Sequence, residues 1–248
     1  MFSSLFFSLM FFYASPGPVL IANSGTNLEA AVASTSRPEE DRQRDALRKP
    51  AEVLSFFGIE QGMTVIDFAA GKGYYTHILS KAAGPNGKVI AQNAPFVVER
   101  FVKDKLQKRI EDAGLENVLE IVSEFDDPQL PGQADAVLMV LFYHDTYWQN
   151  VDRPKMNKAL FDALKPGGIF GLIDHSAEAG SGDRDVKTLH RVDQALVKKE
   201  LLAAGFEFVG ESDLLKHPED SRDWPFFKDI PNTRDRTDRF IFLFRKPK

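Results

Sequence analysis

Short apolar runs alternate with segments of helical pattern along most of this chain, and the alternation limits the fold more than any other feature. The apolar runs predict five strands, at 64–68, 88–93, 118–123, 134–142 and 169–174. The fourth run, ADAVLMVLF, is almost uninterrupted, as a strand buried on both faces requires. Such a repeat predicts an α/β fold, a doubly wound and mostly parallel sheet with helices on both faces.

Two further apolar runs, at 206–210 and 239–244, lie near the end of the chain. The residues between them are charged and interrupted by prolines, without a clear helical pattern. Parallel neighbours need a long crossover, usually a helix, whereas antiparallel neighbours do not. The sequence therefore predicts a seven-stranded sheet whose last two strands form an antiparallel pair.

Helical patterns occupy most intervals between the strands. Pro50 suits the first position of a short helix that Gly58 ends. The other helices are predicted from Glu39 onward and at 74–83, 95–113, 152–164 and 186–204. Residues 23–38 are small and polar, which predicts a linker.

The first 28 residues carry no charged side chain. The apolar run LFFSLMFFYA (5–14) is too short to span a bilayer and is typical of a signal-peptide core. SPGP then breaks the run, and ANS (22–24) offers small residues for cleavage. The sequence predicts an exported, periplasmic protein, although no basic residue precedes the run; an uncleaved anchor and a disordered start are the alternatives. With the leader removed, no stable membrane insertion is expected.

Composition excludes several classes of site. The chain has no cysteine, which excludes disulfides, thiolate metal sites and a cysteine nucleophile. The net charge of -5 gives no indication of nucleic-acid binding. No local ligand spacing such as H-x-x-x-H is present either, so no metal site is predicted.

The stretch VIDFAAGKGYYT (65–76) runs from the first strand through a glycine loop into a helix. Ligands of open α/β sheets bind beyond the carboxyl ends of the strands, where this loop lies. A dinucleotide fingerprint needs a third glycine and an acid at the end of the second strand. The sequence has Thr76 or Tyr74 in place of that glycine and Asn93 in place of the acid, which disfavours an oxidoreductase.

DFAAGKG resembles instead the first motif of the class I S-adenosylmethionine-dependent methyltransferases, an acid-x-G-x-G-x-G pattern. Asp67 takes the acidic position, Ala69 replaces the first glycine, and Gly71 and Gly73 keep the other two. LKPGG (164–168), before the fifth strand, is a second hallmark of that family. The finer pattern GYYT, AQN, YHD, DH and LHR resembles a bacterial group of predicted methyltransferases that often carry export signals.

This resemblance implies S-adenosylmethionine as the cofactor and gives each position a role. Gly71 and Gly73 would pass under the methionine part, while Asp67 would steady the loop or reach the amino group through water. Three further positions are implied in binding the nucleoside: Asn93 at the ribose, Glu124 at the adenine amine and Phe125 against the ring. The alternative is that loop and prolines only form tight turns between strands and helices.

In this fold the methyl acceptor sits at the ends of the fourth and fifth strands, which read FYHDTYW (142–148) and IDHSAEAGSGD (173–183). A histidine is a suitable general base, and a neighbouring carboxylate can orient it. His144 is therefore the predicted base, with Asp145 or Asp174 orienting it. His175 is the substitute candidate for the base. The alternative is that these side chains only cap strands and form hydrogen bonds to loops.

The sequence thus predicts a signal peptide at 1–24, a linker and the start of an N-terminal helix at 25–44, and a methyltransferase-like domain at 45–248. The predicted function is methyl transfer from S-adenosylmethionine to an unknown small-molecule acceptor. The alternative is a non-catalytic nucleotide-binding or sensor protein of the same fold, because fold alone does not give function.

Cleavage of the leader is directly testable. Because small residues suit signal peptidases, the mature protein is expected to begin near Asn23 or Gly25. N-terminal sequencing of material secreted by a native-type host measures this. An intact Met1 in a cytosolic fraction would contradict export.

Overall fold

One seven-stranded sheet runs through residues 24–225 and 234–248, the part of the chain that the computed structural model describes. Its strands are β1 (Thr64–Phe68), β2 (Lys88–Asn93), β3 (Val118–Val122), β4 (Ala134–Val140), β5 (Leu164–His175), β6 (Glu207–Ser212) and β7 (Arg239–Arg245). The helices are α1 (Ser24–Val32), α2 (Glu39–Arg42), α3 (Asp45–Arg48), α4 (Pro50–Phe56), α5 (Tyr74–Ala83), α6 (Pro95–Val97), α7 (Lys105–Asp112), α8 (Asp145–Trp148), α9 (Arg153–Ala163) and α10 (Gln194–Ala203).

The strand order is β3-β2-β1-β4-β5-β7-β6. Strands β1 to β5 pair in parallel, while β7 is antiparallel to both β5 and β6. The predicted fold class is confirmed, including the antiparallel last pair. The order reverses between β1 and β4, and ligands of open α/β sheets bind in the crevice that such a reversal opens at the carboxyl ends.

Both faces of the sheet are buried at its centre. Along β4, Val137 and Met139 face one apolar cluster, whereas Ala136 and Leu138 face the other. All four side chains are fully buried. This double burial is the physical reason for the continuous apolar run, since successive side chains of a strand point to opposite faces.

Residues 24–32 form helix α1 where a linker was predicted. Leu28 and Ala31 are buried in the cluster that also holds residues of α4 and α5. The Asn27 side-chain amide donates to the carbonyl of Ala82 at 2.6 Å. The linker prediction is wrong for this stretch because a few apolar side chains at helical spacing dock it to the domain.

The single helix predicted at 95–113 is wrong. A π-helical turn at Val98–Val102 follows α6, and Lys103 then takes a left-handed conformation (φ 53°) before α7 begins. The Lys103 N–H bonds to the Val98 carbonyl five residues back, which closes the turn and ends the first segment.

The helix predicted at 186–204 is also shorter, because only α10 forms there. His190 is left-handed (φ 52°), and Val192 pairs with Ser176 in an isolated bridge. Asp193 caps α10 by accepting the N–H of Ala195 at 2.9 Å. His190 and Arg191 therefore lie on a loop beside the end of β5 and not on a helix.

Within the residues described, no helix is long and apolar enough to cross a membrane. The predicted signal peptide falls almost wholly outside those residues, so export stays a prediction.

Packing against Gly171 in β5 gives a test of the core. A Cβ at this position would lie 2.7 Å from the ring of Phe57, which is itself buried. Gly171→Ala should therefore destabilise the protein by about 1–3 kcal/mol, the usual cost of overpacking. Gly210→Ala in β6 is the matched control, because a Cβ there meets nothing within 4 Å. Denaturant unfolding measures both, and equal stabilities would contradict this account.

Candidate active site

The loop between β1 and α5 is held in an unusual backbone conformation. Ala69, Gly71 and Gly73 are all left-handed, with φ of 58°, 58° and 84°. For a residue with a Cβ this conformation costs about 1–2 kcal/mol, so Ala69 is strained. A Cβ on Gly73 would lie 2.6 Å from Leu106, whereas one on Gly71 would meet nothing within 4 Å. The loop is therefore packed at Gly73 and open at Gly71.

Asn93, at the end of β2, fixes this loop from the next strand. The Gly71 N–H donates to its Oδ1 at 2.8 Å, and its Nδ2 donates to the Gly71 carbonyl at 3.1 Å. Asn93 is fully buried. The structure thus gives its amide two partners in the loop, where the resemblance implied a ribose.

The neighbouring Gln92 makes a similar link to β3. Its Nε2 donates to the Ser123 carbonyl at 2.8 Å, and the backbone N–H of Ala69 donates to its Oε1 at 3.4 Å. Two successive amides at the end of β2 thus connect the loops that follow β1 and β3. The AQN pattern gains a structural explanation from these bonds.

Asp67 is buried at the end of β1 and contacts the helix that follows the loop. Thr76 Oγ1 donates to its Oδ2 at 2.5 Å. Burial raises the pKa of the Asp67 carboxyl to about 6, although bonds from Thr76 and the charge of Arg48 act in the opposite direction. This contact ties β1 to α5 across the loop.

A cleft of about 320 Å³ opens beyond the ends of β2 and β3. It is lined by residues from three loops: Ala94, Phe96, Glu124, Phe125, Asp126, Trp148, Gln149, Asn150 and Val151. Phe125 is buried, with its ring centroid 5.5 Å from that of Phe68 and 4.6 Å from that of Phe142. Glu124 is exposed. Phe125 thus forms part of an aromatic wall and Glu124 an acidic rim.

Asp174 anchors the predicted catalytic residues at the end of β5. Its Oδ2 accepts the His144 backbone N–H at 2.8 Å, and its Oδ1 lies 2.6 Å from His144 Nδ1. The His175 N–H also donates to Oδ1, at 2.8 Å. Leu141 (φ 57°) turns the chain after β4 and leads it to His144 at the start of α8.

Asp145 continues the contacts on the other side of His144. Its Oδ1 lies 3.0 Å from His144 Nε2 and 2.8 Å from His190 Nδ1, and it accepts the Trp148 indole N–H at 2.7 Å. Asp174, His144, Asp145 and His190 thus form a continuous series, here termed the histidine–aspartate chain. Its inner pair is fully buried, while the side chains of Asp145 and His190 are 18% and 20% exposed.

Electrostatics differ sharply between the two predicted histidines. Burial would lower the pKa of His144, but Asp174 and Asp145 raise it to about 10. Burial would raise the pKa of the Asp145 carboxyl, but His144 holds it well below its usual range. Burial and the charge on His144 lower the pKa of His175 far below its ordinary value.

The structure brings His144, Asp145 and Asp174 together as predicted, but it places them differently. His144, the predicted base, is fully buried between two carboxylates. His175 packs beside it, with ring centroids 5.5 Å apart, and its Nδ1 lies 2.7 Å from Thr237 Oγ1. A histidine that holds its proton to high pH is poorly suited to accept another at neutral pH.

Sequence reasoning missed His190 as a member of this site. It assigned the residue to a helix, whereas the bridge between Ser176 and Val192 brings its loop to the end of β5. The LHR pattern was the available signal, but 46 positions of sequence separate His190 from His144. The pairing of β4 with β5 and the bridge between Ser176 and Val192 together make them neighbours.

Comparison with known proteins gives one family. Residues 43–182 match the model of the ubiE/COQ5 methyltransferase family. Among curated proteins, the chain is 31% identical over 133 residues to O-methyltransferase lcsG of Purpureocillium lilacinum, covering 52% of this chain and 26% of that protein. It is 24% identical over 155 residues to a protein-L-isoaspartate O-methyltransferase of Methanococcus maripaludis, covering 62% and 65%. The chain thus spans less than two thirds of either relative.

Solved structures share the fold. A SAM-dependent methyltransferase from Aquifex aeolicus superposes with a TM-score of 0.60 at 21% identity, covering 89% of this chain and 97% of that one. The [4+2]-cyclase SpnF gives a TM-score of 0.61 at 17% identity, covering 90% and 93%. A cyclase and a methyltransferase with equal likeness show that the fold by itself leaves the reaction open.

The raised pKa of Asp67 predicts a pH dependence of stability. Because the unfolded carboxyl ionises first, near its ordinary value of 3.8, stability should fall as the pH rises from about 4 to about 6. This rise in the Asp67 pKa corresponds to a loss of about 3 kcal/mol in the free energy of unfolding. Asp67→Asn still accepts the Thr76 hydroxyl and carries no charge, so its stability relative to wild type should rise across that range.

Denaturant unfolding of both proteins between pH 3.5 and about 7.5, spanning both pKa values, measures the difference. Asp112→Asn, at an exposed position in α7, controls for removal of a carboxylate. A difference that does not change with pH would show that Asp67 is not strained by burial.

Proposed function

This chain belongs to the ubiE/COQ5 methyltransferase family, and we propose that it transfers a methyl group from S-adenosylmethionine to an oxygen atom of a small-molecule acceptor. One observation carries the proposal. The open glycine loop after β1 and the histidine–aspartate chain after β4 and β5 lie at the same edge of the sheet, on adjacent strands. The proposed donor and acceptor sites are therefore neighbours.

The residues of the loop and the cleft fit the cofactor. Gly71 faces open space, so its backbone is accessible to the methionine part of a ligand. Phe125 offers an aromatic wall and Glu124 an acceptor for an exocyclic amine at the cleft. When bound, the cofactor supplies an electrophilic methyl group.

Acceptor chemistry is assigned to the outer half of the histidine–aspartate chain. Asp145 and His190 are its partly exposed members, and the Trp148 ring lies 5.8 Å from that of His190. The protein's task is to position the acceptor and to take up its proton. His144 acts through Asp145 as a positioning residue. Oxygen is proposed as the acceptor atom because both curated relatives are named as O-methyltransferases.

A non-catalytic nucleotide-binding protein is the second candidate, and Asn93 is the observation that favours it. The resemblance implies that this position holds the ribose, whereas the Asn93 amide is already bonded twice to Gly71. Weak cofactor binding without turnover would follow. The protein can be incubated with S-adenosylmethionine and a mixture of small hydroxyl and carboxyl compounds as acceptors. Production of S-adenosylhomocysteine separates the two candidates, because only an enzyme converts the cofactor.

The proposal predicts that Gly71→Val lowers the affinity for S-adenosylmethionine by more than about tenfold, because the side chain enters the space where ligand meets backbone. Gly58→Val is the matched control. Gly58 is also left-handed (φ 69°) with nothing within 4 Å of a Cβ, but it precedes β1 at the opposite end of the strand. Both variants bear the same type of backbone strain, and only one borders the proposed site.

Titration calorimetry measures the two affinities, and circular dichroism checks that both variants are folded. The milder pair Gly71→Ala and Gly58→Ala serves if valine unfolds the protein. Equal affinities in the two members of a pair would show that the loop is only a turn.

A further inference from the structure

Three potential metal ligands converge at the outer half of the histidine–aspartate chain. His144 Nε2, a carboxylate oxygen of Asp145 and His190 Nδ1 all lie within 4.8 Å of one another. Asp145 Oδ1 is 3.0 Å from the first nitrogen and 2.8 Å from the second. Metal–ligand bonds of about 2.0–2.2 Å place neighbouring ligand atoms about 3.0–3.6 Å apart, which is close to the spacing of the two Asp145 contacts.

The groups behind these ligands supply an independent observation. His144 Nδ1 is held by Asp174 at 2.6 Å, which leaves Nε2 directed at the cluster. Asp145 is held by the Trp148 indole at 2.7 Å. Histidines that bind metals almost always give their other ring nitrogen to a carboxylate or carbonyl, which fixes the tautomer and the ring orientation. Asp174 and His144 have this arrangement.

We propose that His144, Asp145 and His190 bind a divalent transition-metal ion through Nε2, a carboxylate oxygen and Nδ1. Two imidazoles and one carboxylate suit ions such as Zn²⁺ and Fe²⁺, whereas Mg²⁺ prefers oxygen ligands alone. Three protein ligands leave coordination positions for water or substrate. The partial exposure of Asp145 and His190 places those positions on the acceptor side.

Such an ion would give the site a second chemical function. A bound divalent ion lowers the pKa of a coordinated water or hydroxyl group. If the proposed methyl transfer is also correct, the ion would lower the pKa of the acceptor hydroxyl so that its proton is lost to solvent. The ionised oxygen would then take the methyl group, and S-adenosylhomocysteine would leave. The metal site itself does not depend on methyl transfer, although the ion must displace the proton that His144 otherwise holds.

Metal binding is measured on the full chain, freed of ions by dialysis against a chelator and without S-adenosylmethionine. Titration with Co²⁺ is followed by visible absorption, and titration with Zn²⁺ by calorimetry. We expect one ion per chain and no displacement by excess Mg²⁺. Asp145→Asn and His190→Ala should each weaken binding by more than about tenfold, and Asp174→Asn by about 10- to 100-fold.

His217→Ala is the matched control, because this histidine also pairs with a carboxylate, Glu219, but lies outside the cluster. It should bind the ion as wild type does. Thermal unfolding without metal checks that each variant folds. If His190→Ala does not fold, the near-isosteric Asp145→Asn still tests the proposal. An absence of binding to wild type, or equal affinity in wild type and both ligand variants, would overturn the proposal. Neither result depends on methyl transfer.

Discussion

Burial of the central strands on both faces is the constraint from which the rest of the structure follows. β1 and β4 lie at the middle of the sheet, and helices cover both faces, so almost every side chain along them must be apolar. Polar groups are displaced to the ends of the strands. Asp67 is the exception among the buried residues of β1, and its raised pKa is the electrostatic consequence.

The same constraint explains why the loops at the carboxyl edge are so closely interconnected. Ala69 is left-handed despite its Cβ, and such a strained residue keeps its conformation only with support from the surrounding structure. Asn93 and Gln92 of β2 provide this support through hydrogen bonds to the loop. Asp174 of β5 likewise holds the chain after β4 by accepting the backbone N–H of His144. Each loop is thus fixed by a side chain from a neighbouring strand, which gives the site rigidity that short loops alone do not have.

Sequence reasoning succeeded where local pattern and burial agree. β1, β2 and α5 begin and end at the predicted residues, because apolar runs and glycines mark their limits. It failed where a residue other than glycine adopts a left-handed conformation, as Lys103 and His190 do, since composition does not reveal such turns. The partners of the site residues were also hidden. Asn93 bonding to Gly71, and His190 meeting Asp145, both result from strand pairing between distant parts of the chain.

The position of β7 has a consequence for how this chain folds during synthesis. Although β7 is the last strand in sequence, it lies inside the sheet, between β5 and β6. β6 therefore has no partner until β7 has been made, and the exposed edge of β5 stays open for the same interval. Strand edges left open in this way are sites of wrong pairing between chains. Until the last strand emerges from the ribosome, the nascent chain carries two open strand edges, one on β5 and one on β6.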